Sequence, residues 1–260
     1  YFVDVGQGSG DEAGTYEDPY TALDEVNTND DPDANFRIES DGDSVYVADE
    51  VALTGDQTLG GYTDDYTTPA TGDDQPILIT ELIAEGDNEV ENVVIEGDGS
   101  TSSTVVVSDG ATLKATNVTI NGDSIGVEVG DGSTLVLADS QVNVANSDSF
   151  SEEQNVQSSS DVTGIKVGDN STTTLTGTDV NVTGEGGLTY GVDMSLVSGA
   201  TFNVEQGSQI NASSSQGAVS GIYASGAADS TITINHSAVT ASSTGLNTSQ
   251  ATGIMASVAT

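Results

Sequence analysis

The sequence predicts an all-β solenoid with three short parallel strands to each turn, and three observations predict it. A fifteen-residue phrase, Gly130 to Val144, returns without a gap as Gly168 to Val182. Within each phrase apolar and polar residues alternate, the period of a strand with one buried face. Between the alternating stretches sit Asp-Gly, Gly-Asp-Asn and Ser-Gly, residues that tolerate the positive φ of a sharp corner. A unit of this size cannot bury its apolar face alone, so copies must stack.

The first strand of each unit is marked by glycine and an aliphatic residue, at Gly126-Val127, Gly164-Ile165, Gly191-Val192, Gly221-Ile222 and Gly253-Ile254. Alternation turns the aliphatic residue inward and the next one outward, so Val127, Ile165, Val192, Ile222 and Ile254 form one core column. The middle strand supplies Leu113, Leu135, Phe202 and Ile232, interrupted by the polar Thr173. The third strand supplies Val118, Val142, Val180, Ile210 and Val239. With Thr104 aligned to Gly126, first strands begin 22, 38, 27, 30 and 32 residues apart. The surplus over the shortest turn falls mainly between a third strand and the next first strand, which makes one decorated edge; in repeat folds that edge is often the binding edge. Its longest insertion, Ala145 to Thr163, carries Phe150, Glu152 and Glu153 as candidate contact residues.

The Gly-Ser-Thr-Leu, Ser-x-Val-x-Val and Gly-Ile-x-Val phrasing resembles the right-handed parallel β-helices of the pectin-lyase-like superfamily, and is most similar to the passenger domains of autotransporter adhesins. The opening is similar to theirs as well, through Tyr1-Phe-Val-Asp4, Pro19 to Val26 and Asp43 to Val47. The resemblance implies a short helix capping the first coil. It divides the chain into an acidic cap with irregular first coils, residues 1–92, and regular rungs over residues 93–260. It specifies fold better than activity, since this fold hosts lyases, hydrolases, adhesins and filaments.

Three basic residues against 42 acidic ones give a net charge of −39. Spread over the roughly 10,600 Å² expected of a folded 26 kDa chain, that density repels nucleic acid, anionic lipid and acidic polysaccharide. Residues 1–100 hold 27 of the acids with Arg37 as the sole counter-charge. Such a surface fits high salt or a calcium-rich extracellular medium. There is no cysteine, no apolar run long enough to span a membrane and no basic signal-peptide start. The start at Tyr1 reads as a processed or excerpted chain. The last unit stops at Thr260 before its second and third strands, so the reading expects either a continuing polypeptide or another subunit over that end.

Lyases of the resembled superfamily use a basic residue for proton abstraction, and this chain offers four candidates. Lys166 is expected outward between Glu128 and Asp193 as an ion-pair ladder, Lys114 outward among polar or aliphatic neighbours, Arg37 in the acidic cap and His236 at an exposed corner. A glycosidase needs only paired carboxylates. The nearest match to the family's motifs, Gly72-Asp73-Asp74, lies before the regular rungs, and the partner motifs are absent. The chain is therefore read as a non-enzyme, with a carbohydrate-active enzyme as the alternative from another class.

Asp31-Pro-Asp33-Ala-Asn35 opens like a calcium loop, but Phe36 and Gly42 stand where an EF-hand needs its glycine and glutamate. Asp41, Asp43, Asp64, Asp65, Asp73 and Asp74 remain candidates to converge with it on a calcium ion, a solvated acidic face being the plainer reading. Six of the eight tyrosines lie in the cap; of these Tyr62 and Tyr66 are the candidates to stack on neutral sugars, packing of the first coils being the commoner reading. Asn117, Asn170, Asn181, Asn211, Asn235 and Asn247 each open an Asn-x-Ser/Thr sequon. Together these features point to an extracellular or cell-surface, non-catalytic protein for adhesion or surface architecture. Its expected partners are a host or neighbouring-cell glycan or protein, or copies of itself through open helix ends; the alternative is a filament or sheath subunit. Neither nucleic acid nor membrane insertion is expected.

Overall fold

A computed structural model describes residues 1–3, 15, 22–28, 31–40, 44–63, 66–99, 102–145, 161–244 and 250–258. Every registered strand pair in it is parallel, and successive coils stack as a right-handed parallel β-helix with three walls. The middle wall is a nine-stranded sheet running from Phe2–Val3 and Asn35–Ser40, through Thr112–Thr116 and Thr134–Ala138, to Thr231–Asn235. The other two walls belong to one 14-stranded sheet. Its branch point is Ile77–Ala84, a strand long enough to turn the corner: Ile77–Ile79 pairs with Val94–Glu96 and opens the third wall, while Leu82–Ala84 pairs with residues 105–107 of the strand Ser103–Val107 and opens the first. Pairing is continuous across residues 92 and 93.

The inward columns follow the alternation. Val127, Ile165, Val192 and Ile222 are fully buried in register on the first wall; Ile254 continues the column but is 44% exposed in the last described coil. Leu113, Leu135, Thr173, Phe202 and Ile232 stand in line on the middle wall. The third-wall column needs one correction, because Ile120 and not Val118 pairs with Val142. Val118 sits two residues earlier, at the corner. There its N–H bonds Ser140 Oγ (3.1 Å), Ser140 N–H bonds Thr178 Oγ1 (3.4 Å) and Thr178 N–H bonds Ser208 Oγ (3.1 Å), so later coils fill that position with hydroxyls that serve as acceptors.

The repeated glycine of the first wall has a packing cause. A Cβ on Gly164 would meet Val180 Cγ1 at 2.6 Å, and one on Gly126 would meet Val142 Cγ1 at 2.6 Å. The first and third walls approach so closely there that only a hydrogen fits. Corners are fixed by backbone with positive φ. Asn92, Asn117, Asp139, Gly177, Gln206 and His236 occupy equivalent places in six successive coils, with φ from 49° to 58°, and residues whose side chains tolerate the left-handed region recur among them. His236 is exposed at its corner.

Leu23–Thr28 is a 3₁₀ helix whose Leu23 and Val26 are buried and which packs on Val45–Leu53. Polar residues enter the core of the early coils with partners. Gln57 donates to the Asp31 carbonyl (2.9 Å) and Asn88 to the Leu53 carbonyl (3.1 Å), and Asn88 Oδ1 accepts the Gln57 N–H (3.2 Å). Thr173 differs, its hydroxyl being buried with no hydrogen-bond partner among the described residues.

Candidate recognition surface

On the outer face of the first wall, register sets Glu128, Lys166, Asp193 and Tyr223 in one column, one residue per coil. Lys166 Nζ reaches Glu128 Oε1 at 2.7 Å, and Ser103 Oγ donates to Glu128 Oε2 at 2.9 Å. Burial pushes the Glu128 carboxyl up, but the bonds from Lys166 and Ser103 outweigh it and hold the group below the usual glutamate range. Lys114 is also paired, with Glu89 at 3.2 Å, which corrects the expectation of polar or aliphatic neighbours alone. Arg37 donates to the Tyr66 carbonyl (2.8 Å) and lies over the Tyr62 ring at 5.0 Å. All three Lys and Arg side chains are thus held by structural contacts.

Two coils above Glu128 the same face turns aromatic. Tyr190 and Tyr223, from adjacent coils, stack with ring centroids 4.9 Å apart and planes at 23°. Burial raises the Tyr190 hydroxyl to about 12, helped by the neighbouring Asp193, Tyr223 and Asp161. Apolar side chains flank the pair along its coil: Leu188 is 41% and Leu196 82% exposed. Leu196 also adopts φ 60°, held by a bond from its N–H to the Ser225 carbonyl (3.0 Å). For a branched side chain that conformation costs roughly 1 kcal/mol, spent here on an exposed leucine.

The third wall carries a second repeating feature on its outer face. Asn143 donates to Asn121 Oδ1 (3.0 Å), Asn181 to Asn143 Oδ1 (3.1 Å) and Asn211 to Asn181 Oδ1 (3.1 Å), and Thr240 closes the row on Asn211 Oδ1 (2.7 Å). Each amide spends one N–H on its neighbour and keeps the other for solvent or ligand. A groove of about 440 Å³ runs beside Asn121, Asn143, Asn181 and Thr183. A cavity of about 500 Å³ shares Asn121 and adds Asp73, Gln75, Asp139 and Gln141. The groove's lining includes Ala145, where the long insertion begins, and Tyr190 pairs in register with Thr163, where it ends. Both features therefore border the decorated edge.

The residues expected at a site from sequence are distributed otherwise. Tyr66 is buried, its hydroxyl directed at the Val3 carbonyl (3.4 Å) and its ring edge-on to Phe2 at 4.8 Å, which removes it from any sugar-stacking platform. Tyr62 is partly exposed, with its hydroxyl on Glu91 Oε1 (3.0 Å) and its ring under Arg37. Asp31, Asp33 and Asn35 are exposed, with Asp31 Oδ1 accepting the Asp33 N–H (3.1 Å). Asp73 and Asp74 lie in the separate 3₁₀ turn Gly72–Asp74. Among the described residues no three acidic or histidine side chains converge as a metal site. Phe150, Glu152, Glu153, Asp41, Asp43, Asp64 and Asp65 lie outside the described residues.

Other acids serve the corners. Asp109 Oδ1 accepts the Asp131 N–H, Asp131 Oδ1 the Asp169 N–H and Asp169 Oδ1 the Ser198 N–H, each at 2.8 Å. These three carboxylates are backbone acceptors between coils. The tyrosine pair escaped the sequence reading because its members stand at different offsets from their glycines, Tyr190 just before Gly191 and Tyr223 two after Gly221. Counting outward positions in neighbouring units would have placed both on one face. Compared with known proteins, the chain matches no family model, no curated protein and no solved structure.

Proposed function

We propose that this β-helix is a non-catalytic surface protein that adheres to neutral glycans along its decorated edge, in the manner of the passenger-type adhesins its sequence resembles. The observation that carries the reading is the Tyr190–Tyr223 stack, partly exposed on a rigid wall between Leu188 and Leu196. Phenol rings offer apolar faces to a sugar ring and hydroxyls to its edge, and the asparagine row adds paired donors and acceptors for hydroxyl groups. A surface with net charge −39 favours an uncharged ligand over an acidic one. The structural engagement of Lys114, Lys166 and Arg37 supports the non-enzyme reading.

The test is binding of the purified chain, carrying a fluorescent label at its N-terminal amine, to an array of neutral and acidic glycans. A Tyr190→Ala, Tyr223→Ala double variant with unchanged circular dichroism should lose binding to the neutral members by at least tenfold. Equal binding by the double variant, or release of reducing ends by the parent chain, would sink the proposal.

A further inference from the structure

Six sequons occur in the chain, and the fold treats them unequally. Asn117 donates its amide to Asn92 Oδ1 at 2.8 Å, and Asn181 and Asn211 are locked in the asparagine row. Asn235 is exposed, but the hydroxyl of its Ser237 is turned back on the Asn235 carbonyl at 3.0 Å. Asn247 lies outside the described residues. Asn170 stands apart. It occupies a corner with φ 55°, is exposed, and its side-chain amide has no hydrogen-bond partner among the described residues.

The neighbours of Asn170 keep its amide open. The corresponding corner residues of the coils before and after it are Gly132 and Gly199. A side chain on Gly132 would meet nothing within 4 Å, so that flank is open space, while the Asn170 Oδ1 leans across Gly199, where an added Cβ would stand only 2.5 Å away. The backbone is fixed by a bond from the Asn170 N–H to the Ser198 carbonyl (2.7 Å). Ser171 is buried, and Thr172 turns its side chain outward at the start of its strand. An asparagine and a threonine two residues on, both presented outward from a firmly held turn, satisfy the acceptor motif on a finished surface.

We infer that Asn170 is an N-glycosylation site of the folded protein. This deepens the surface reading, since such transfer belongs to exported chains. The glycan donor is an oligosaccharide linked to an isoprenoid pyrophosphate. The Asn170 Nδ2 forms a bond to the anomeric carbon, the bond from that carbon to the phosphate oxygen breaks, the lipid pyrophosphate leaves with the electron pair, and the amide gives up one proton. No oxidation or reduction is involved.

The experiment incubates the folded full chain with a purified oligosaccharyltransferase and its isoprenoid-linked donor, then digests with a protease that cuts before aspartate. Cleavage at Asp169 and Asp179 puts Asn170 and Asn181 on different peptides for mass spectrometry. The glycan should appear on the Asn170 peptide and be at least tenfold rarer on the Asn181 peptide, and Asn170→Gln should abolish the first signal. An unmodified Asn170 peptide, or equal occupancy at Asn181, overturns the assignment. Because transfer is made to purified protein, failure leaves the surface reading standing; that reading falls instead if cell fractionation finds the chain wholly in the cytoplasm.

Discussion

The ammonium of Lys166 stands 2.7 Å from the carboxylate of Glu128 on the preceding coil, directly opposite it in the parallel register. Both side chains keep a substantial part of their surface in water, 49% and 33% respectively, so the pair is a screened contact and not a buried ion pair.

Replacing Lys166 with Met should therefore lower stability by less than about 1 kcal/mol at neutral pH. The Glu128 carboxyl is held below its ordinary range in the folded state, so its contribution is complete above the unfolded pKa of about 4.3 and disappears as pH falls through the lower folded value. Denaturant titrations of parent and variant should converge in acid. A difference that persists at full protonation would show that Lys166 acts through its aliphatic stem instead.

Glu81 should behave in the opposite sense. Burial raises its carboxyl, with further help from Glu50, Asp98 and Glu128, so the charged form is a cost to the fold at neutral pH. Glu81→Gln should raise the melting temperature above the raised folded pKa, and the gain should shrink to nothing below about 4.3. Added salt should shrink it too. Melting curves over pH and sodium chloride series check both, and a gain independent of pH would refute the electrostatic cause.

Thr173→Val should be neutral or stabilising by about 1 to 2 kcal/mol. The change keeps the shape of a side chain stacked between Leu135 and Phe202 and removes a buried hydroxyl that has no partner. Chemical denaturation decides it; a loss above 1 kcal/mol would mean that the hydroxyl has a partner after all.

Gly164→Ala should destabilise by about 1 to 3 kcal/mol, because the new methyl group would press on Val180 and on the Gly191 carbonyl. The double change Gly164→Ala, Val180→Ala frees the space and should recover part of the loss. Absence of any recovery would place the strain in the backbone and not in the approach of the two walls.

Tyr190 makes an alkaline prediction. Its folded pKa of about 12 lies above the unfolded value near 10, so the unfolded chain releases this proton first and stability falls as pH rises past about 10. Tyr190→Phe should flatten that limb, and the tyrosinate absorbance lost in the variant should be the part that titrates last. An unchanged limb would show that neither burial nor the neighbouring Asp193 and Asp161 holds the proton on Tyr190 in the fold.

The regular coils were legible because the glycine and aliphatic pair recurs with so little variation that inward and outward positions could be assigned residue by residue. Val118 was misplaced because Val118 and Ile120 are both apolar and share a period of two, so alternation alone cannot choose between them. The Glu89 partner of Lys114 lies in a coil without the glycine marker, where no register could be counted. Tyr46 and Tyr66 follow the packing reading of the cap tyrosines, since they combine large apolar rings with hydroxyls that can reach backbone carbonyls, and so fill the irregular first coils as core. The asparagine row was present as Asn143, Asn181 and Asn211 in the repeats, but polar outward residues carry no sign of bonding to each other until the register is known.

The branched strand Ile77–Ala84 has a mechanical consequence. In this architecture the backbone hydrogen bonds run along the helix axis, so a pull along that axis opens coils one after another like a zip, each loading only the few bonds between neighbouring strands. At Ile77–Ala84 that sequence is interrupted. One continuous strand is bonded to Val45–Leu53 on one side and to the first strands of two walls on the other, so two rows must give way together. Under traction the coils above this strand should part in steps that follow their unequal lengths, with added resistance at Ile77–Ala84, where the two rows break together.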